Sequence, residues 1–79
     1  MKIPKVLSVR PLSDYMLNIL YETGEERIFD VKPYLIGSWF GSLKDISVFN
    51  TVHPFGKTVA WQDGQDIAPH ELYELSNPV

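Results

Sequence analysis

The sequence predicts a small α+β domain: an antiparallel β-sheet of about five strands, a meander plus a hairpin, with two or three short helices packed on it. Three observations carry that expectation. Tyr15, Leu17, Ile19 and Tyr21 alternate with Met16, Asn18 and Leu20, the period of two that a half-buried strand requires. The other apolar runs are short and punctuated by Pro and Gly, in neither a βαβ nor an all-β order. A last apolar strand ending at Trp61 passes through Asp63-Gly64 into a proline-started helix, Pro69 to Leu75, which Asn77-Pro78 stops.

Residues 5 to 10 are β-branched and half apolar and read as the first strand, closed by Pro11, which has no amide to give to a ladder. The second strand runs from Tyr15 to Tyr21. Glu22-Thr23-Gly24-Glu25 reads as a tight turn in which Gly24 supplies a positive φ, and Glu26 to Phe29 returns antiparallel. Asp30 is placed to cap a helix that carries Val31, Tyr34 and Leu35 on one face, tolerates Pro33 in its first turn and ends near Gly37. Ser42, with Asp45 three residues on, is placed to cap a second helical turn. Residues 48 to 53 and 57 to 61 are expected to form a hairpin around Pro54-Phe55-Gly56, anchored by Val52, Val59 and Trp61. The ends, Met1 to Pro4 and Ser76 to Val79, are expected to be mobile.

Seventy-nine residues make a single domain spanning 1–79, and a chain of that length buries only about 60% of its unfolded surface. With no cysteine, disulfides and thiolate metal sites are excluded, and the apolar core alone must hold the fold. No apolar run approaches the ~20 residues needed to span a bilayer, and Met1-Lys2-Ile3-Pro4 does not open a signal peptide, so a cytoplasmic protein without membrane contact is expected. The net charge of −3 is uneven: residues 1–57 hold all seven Lys/Arg and six Asp/Glu, whereas residues 58–79 hold four Asp/Glu and no Lys/Arg. Nucleic-acid binding draws its affinity from cations, so it is not expected, and a basic partner suits the C-terminal third better.

Asp63, Asp66, His70, Glu71 and Glu74 crowd into twelve residues, and Asp66 with His70 offers oxygen and nitrogen ligands for a divalent cation. Structural duty outranks that reading. Asp63-Gly64 is turn chemistry, Asp66 a cap or a bond to the amides before Pro69, Glu71 a first-turn acid, and His70 with Glu74 an exposed i,i+4 pair. No nucleophile elbow and no phosphate loop occurs, and His53 before Pro54 reads as a turn residue. No catalytic residue, metal or cofactor is therefore assigned. Trp39 and Phe40, between Gly37 and Gly41, divide between core and exposed anchor, with at least one in the core; Tyr73 shares the ambiguity. The first or third strand must be a sheet edge, open to strand addition.

The run Trp61-x-Asp63-Gly64-x-Asp66-Ile67-x-Pro69-x-x-Leu72-Tyr73 resembles the signature of DUF2442, a family of small bacterial domains of unknown function. Asp14-Tyr15 with Leu17, Tyr21 before Gly24-Glu25, Asp30, Leu43, Phe49 and Val52 fit as well, so the resemblance covers nearly the whole chain. His70 departs from it, because members usually carry an acid after the proline. The resemblance implies an antiparallel α+β fold and no established activity, cofactor or catalytic residue. It also implies an interaction module, since some relatives precede a helix-turn-helix and others resemble antitoxin-type components beside a small second protein. The expected function is a non-catalytic protein–protein interaction domain, the acidic antitoxin-like partner of a two-component system, using Trp39, Phe40 and Tyr73 or the acidic C-terminal helix. Two alternatives stand beside it: a metal-dependent or acid–base enzyme at Asp63, Asp66 and His70, and a homodimer formed through an edge strand.

Overall fold

The computed structural model describes residues 2–79; the expectation of mobility at Met1 lies outside them. Among the described residues, six strands form two antiparallel sheets. In the larger, β1 (Val6–Leu12), β2 (Met16–Tyr21), β3 (Glu26–Asp30) and β6 (Asn77–Pro78) lie in the order β1-β2-β3-β6, and β4 (His53–Phe55) pairs with β5 (Thr58–Ala60) in a separate hairpin. The hairpin is tied to the meander where the Val6 amide donates to the Gly56 carbonyl at 3.0 Å. Two short helices, α1 (Ile46–Phe49) and α2 (Pro69–Leu75), and three 3-10 turns complete the α+β fold.

Period-two patterning places Leu17, Ile19 and Tyr21 of β2 entirely inside, opposite Phe29 of β3 and Val6 of β1. Each fully buried aliphatic side chain contributes about 2 kcal/mol by leaving water. Trp61, Phe49, Leu43, Val59, Ile67 and Leu72 complete one contiguous core, so a single hydrophobic unit holds the meander, the hairpin and α2. On the opposite face of the sheet Arg10 is exposed and Asn18 and Ile28 are half-buried; β2 and β3 alternate between these two environments.

Several expectations are corrected. Pro11 does not end β1: it sits within the strand opposite Leu17, and β1 is an edge strand, where a residue without an amide to donate is tolerated. The helix expected after Asp30 is one 3-10 turn, Lys32–Tyr34, although the Asp30 carboxylate does accept from the Lys32 amide at 2.9 Å. Ser42 caps nothing; it lies inside the 3-10 turn Gly41–Lys44, and Asp45 caps α1 by accepting from the Ser47 amide at 3.0 Å. Residues 48 and 49 are therefore helical, and the β4–β5 hairpin begins only at His53, turning at Gly56-Lys57 instead of at Pro54-Phe55-Gly56. Among the described terminal residues, Ile3 is in the core, Ser76 is buried, and Asn77–Pro78 pairs with β3.

The turn from β1 into β2 carries two consecutive residues with left-handed backbones, Asp14 (φ 62°) and Tyr15 (φ 57°). A non-glycine residue there is strained, and the surroundings hold it. Lys32 clamps the turn: its ammonium donates to the Asp14 carbonyl at 3.0 Å and lies 3.1 Å from the carboxylates of Asp14 and Asp30. Those partners, Asp14 first, raise the Lys32 pKa. Tyr15 is fixed at its far end, where its hydroxyl donates to the Lys44 carbonyl and its ring meets Phe49 edge-on at 5.3 Å.

Candidate interaction surface

The segment from Leu35 to Phe40 connects two 3-10 turns and leaves two apolar side chains in water: Ile36 is 90% exposed and Trp39 57%. Its backbone is nonetheless held. Gln65, fully buried, donates through Nε2 to the Trp39 carbonyl at 2.9 Å and to the Ser42 hydroxyl at 2.8 Å. Its other amide atom, Oε1, is buried without a partner among the described residues, so the side chain acts through the two bonds it donates. Next in sequence, Phe40 turns inward, packing at 5.7 Å against Tyr34 and at 6.5 Å edge-on against Trp61. Of the Trp39-Phe40 pair, one residue anchors the loop and the other faces solvent.

Gln65 is itself fixed by the turn before it. The Gly64 amide donates to the Trp61 carbonyl and the Trp61 amide to the Gln65 carbonyl, both at 2.9 Å, with Gly64 at φ 95°, where a side chain is disfavoured. Trp61, 1% exposed, packs on Phe49 and donates from its indole to the Phe49 carbonyl at 3.0 Å. Asp63 and Asp66 stand exposed on either side of Gln65, so the exposed Trp39 is held by a residue flanked with carboxylates. Asp66 makes a single bridge to Ala60 and does not cap α2, whose N-cap is Ala68 with no side-chain bond. Pro69 opens α2, Leu72 is buried under it, and the Glu71 carboxylate accepts from the Tyr34 hydroxyl. Burial first, and then Glu71, pushes the Tyr34 phenol up to about 12.

Tyr73 lies in a separate cluster and shares no aromatic or hydrogen-bonding partner with Trp39 or Phe40. Its hydroxyl donates to the Glu25 carboxylate, 2.7 and 2.8 Å from the two oxygens, its ring meets Tyr21 edge-on at 5.1 Å, and the Arg27 guanidinium lies 4.6 Å from its centroid. Arg27 in turn donates to the Ser76 hydroxyl at 2.6 Å and carbonyl at 2.8 Å. The tyrosine bond, with smaller help from Thr23 and Arg27, holds the Glu25 carboxyl below the usual range. Tyr73 is thus a half-buried staple between α2 and the β2–β3 hairpin rather than a free aromatic.

Asp63, Asp66 and His70 are each exposed, and His70 makes no ion pair with Glu74 among the described residues. No group of three or more His, Asp or Glu side chains is placed to share a cation among those residues. Sequence reasoning missed Gln65, Ile36, Glu25 and Arg27. A lone Gln on an apolar edge carries no local signal, and the Glu25–Tyr73 contact spans 48 positions.

The profile of a family described as a protein of unknown function, DUF2442, matches residues 6–78, from the start of β1 to the end of β6. The chain belongs to the DUF2442 family. No curated protein and no solved structure matches it significantly. In this DUF2442 domain the signature residues build the frame: Trp61 and Leu72 are core, Gly64 makes the turn, Pro69 starts α2, and Tyr73 staples it. Among the described residues, no helix is long and apolar enough to cross a membrane.

Proposed function

We propose that this DUF2442 domain is a non-catalytic protein–protein interaction module, the acidic, antitoxin-like member of a bacterial two-component pair acting in the cytoplasm. The observation that supports it is the pinned Trp39: a large aromatic in water whose main chain is held by a buried amide. Binding energy concentrates in such aromatics, and a loop already ordered loses little entropy when a partner docks. Ile36 extends the apolar contact, and Asp63 and Asp66 beside Gln65 favour a partner whose apolar pocket has a basic rim.

The test is co-purification with the product of the adjacent gene, comparing the wild-type chain with Trp39→Ala. Retention by the wild type and its loss in the variant, with unchanged thermal unfolding, is the expected result. A chain that emerges alone, or a Trp39→Ala chain that binds as well as the wild type, contradicts the reading.

A further inference from the structure

Two clefts adjoin along the N-terminal residues, sharing Lys2, Ile3 and Lys57: one of about 520 Å³ reaches Lys5, Glu25 and Tyr73, the other, of about 500 Å³, reaches Pro69 and His70. Of the seven Lys and Arg in the chain, Lys32 and Arg27 are ion-paired, leaving Lys2, Lys5, Arg10, Lys44 and Lys57 without a carboxylate partner among the described residues. Three of these five line this one surface. The acids on its wall are engaged: Glu25 accepts from Tyr73 and Thr23, and Glu22 accepts from the Lys5 amide at 2.9 Å. An acidic protein therefore gathers three ammonium groups, none ion-paired among the described residues, against the two carboxylates of Glu22 and Glu25 around a groove with Pro4, Pro69 and Tyr73 as partly apolar walls.

We propose that this groove takes an acidic peptide segment of a partner protein, its carboxylates set by Lys2, Lys5 and Lys57 and an apolar residue between them lying on the Pro4–Pro69–Tyr73 wall. Charge complementarity selects the sign of the ligand, and the mixed lining selects its class. A single-stranded nucleic acid brings a phosphate at every nucleotide and no apolar residue between charges to lie on the Pro4–Pro69–Tyr73 wall. It also needs an open ring on which to stack, and the ring of Tyr73 already has Arg27 against its face and Tyr21 edge-on. A peptide can alternate charged and apolar residues to match the groove. The proposal rests on the reading of the domain as a protein-interaction module and adds a second contact region, opposite in charge to the Asp63–Asp66 surface.

The experiment is fluorescence anisotropy with a labelled peptide of alternating Glu and Leu, set against a Lys/Leu peptide and a single-stranded RNA oligomer. Expected are binding of the Glu/Leu peptide below about 1 mM and weakening as salt shortens the screening length. Binding should fall at least about tenfold in the Lys5→Glu, Lys57→Glu double variant, whose fold is checked by circular dichroism, with Lys5→Gln, Lys57→Gln as the milder companion. Amide shifts at Lys2, Ile3, Lys5 and Lys57 and at residues 70–73 should report the same site. Equal binding of the Lys/Leu peptide, tighter binding of RNA, no binding of the Glu/Leu peptide, or indifference to charge reversal overturns the proposal. Trp39→Ala should leave peptide binding intact, so failure here and failure of the Trp39 reading are separable.

Discussion

The buried side chain of Gln65 reaches across 26 positions to the main-chain carbonyl of Trp39, so the exposure of that indole is set by a residue in the core. The loop is ordered through its backbone and open through its side chain.

Replacing Gln65 by Ala removes both bonds that it donates. Hydrogen exchange at residues 39–42 should quicken before global unfolding does, and partner affinity should fall even though Trp39 is untouched. Unchanged exchange in that segment would show that the loop is held by something else.

Tyr21 is wholly buried, and its hydroxyl has no partner among the described residues. Tyr21→Phe is therefore expected to leave stability unchanged or raise it by about 1 kcal/mol in urea denaturation. A loss of that size would mean that the hydroxyl is bonded in solution.

Alkali should find the same residue. Burial pushes the Tyr21 phenol up to about 12, and Tyr34 is raised to a similar value. A phenol raised in the folded state contributes stability that is complete below its unfolded value near 10 and is lost as pH climbs through the folded one. Absorbance at the phenolate band should show these tyrosines ionising late and together with unfolding, and Tyr21→Phe should remove part of that late amplitude.

Acid works on the staple. Glu25 is depressed chiefly by the Tyr73 hydroxyl, so its contribution is present above the ordinary glutamate range and disappears as pH drops through the folded value. Thermal unfolding should show a stability loss on acidification that Glu25→Gln and Tyr73→Phe each flatten; identical acid profiles for all three proteins would remove Glu25 from the account.

Gly64→Ala puts a side chain at φ 95° in a turn with open space around it, so backbone strain alone is felt, about 1 kcal/mol. Trp61→Phe costs more, about 1–3 kcal/mol, by leaving a void and taking the indole's bond from the Phe49 carbonyl, which keeps only the longer 3.4 Å bond from the Val52 amide. Denaturant midpoints of the two variants should fall in that order.

What the sequence disclosed follows from range. The alternation in β2 and the proline-to-proline bracket of α2 are local, and both elements stand where the pattern puts them. The strand expected over residues 48 to 53 gives way before His53 to a helical turn, because Val48, Phe49 and Val52 satisfy either element and the deciding cap, Asp45, competes in the sequence with an equally suitable Ser42. At the candidate surface, the division of Trp39 from Phe40 depended on Gln65 and Tyr34, neither adjacent in sequence. The Tyr73 staple depended on a hairpin that only the fold brings near.

The Arg27–Ser76 and Tyr73–Glu25 contacts close long loops, 49 and 48 positions, onto a meander whose own pairings are between neighbours. Short-range pairings form first and long closures last, so the staple matters to the time course of opening more than to that of assembly. Removing the Arg27 guanidinium should speed unfolding and leave refolding nearly untouched, which makes the β6–α2 clasp the element that sets how long each folded molecule survives.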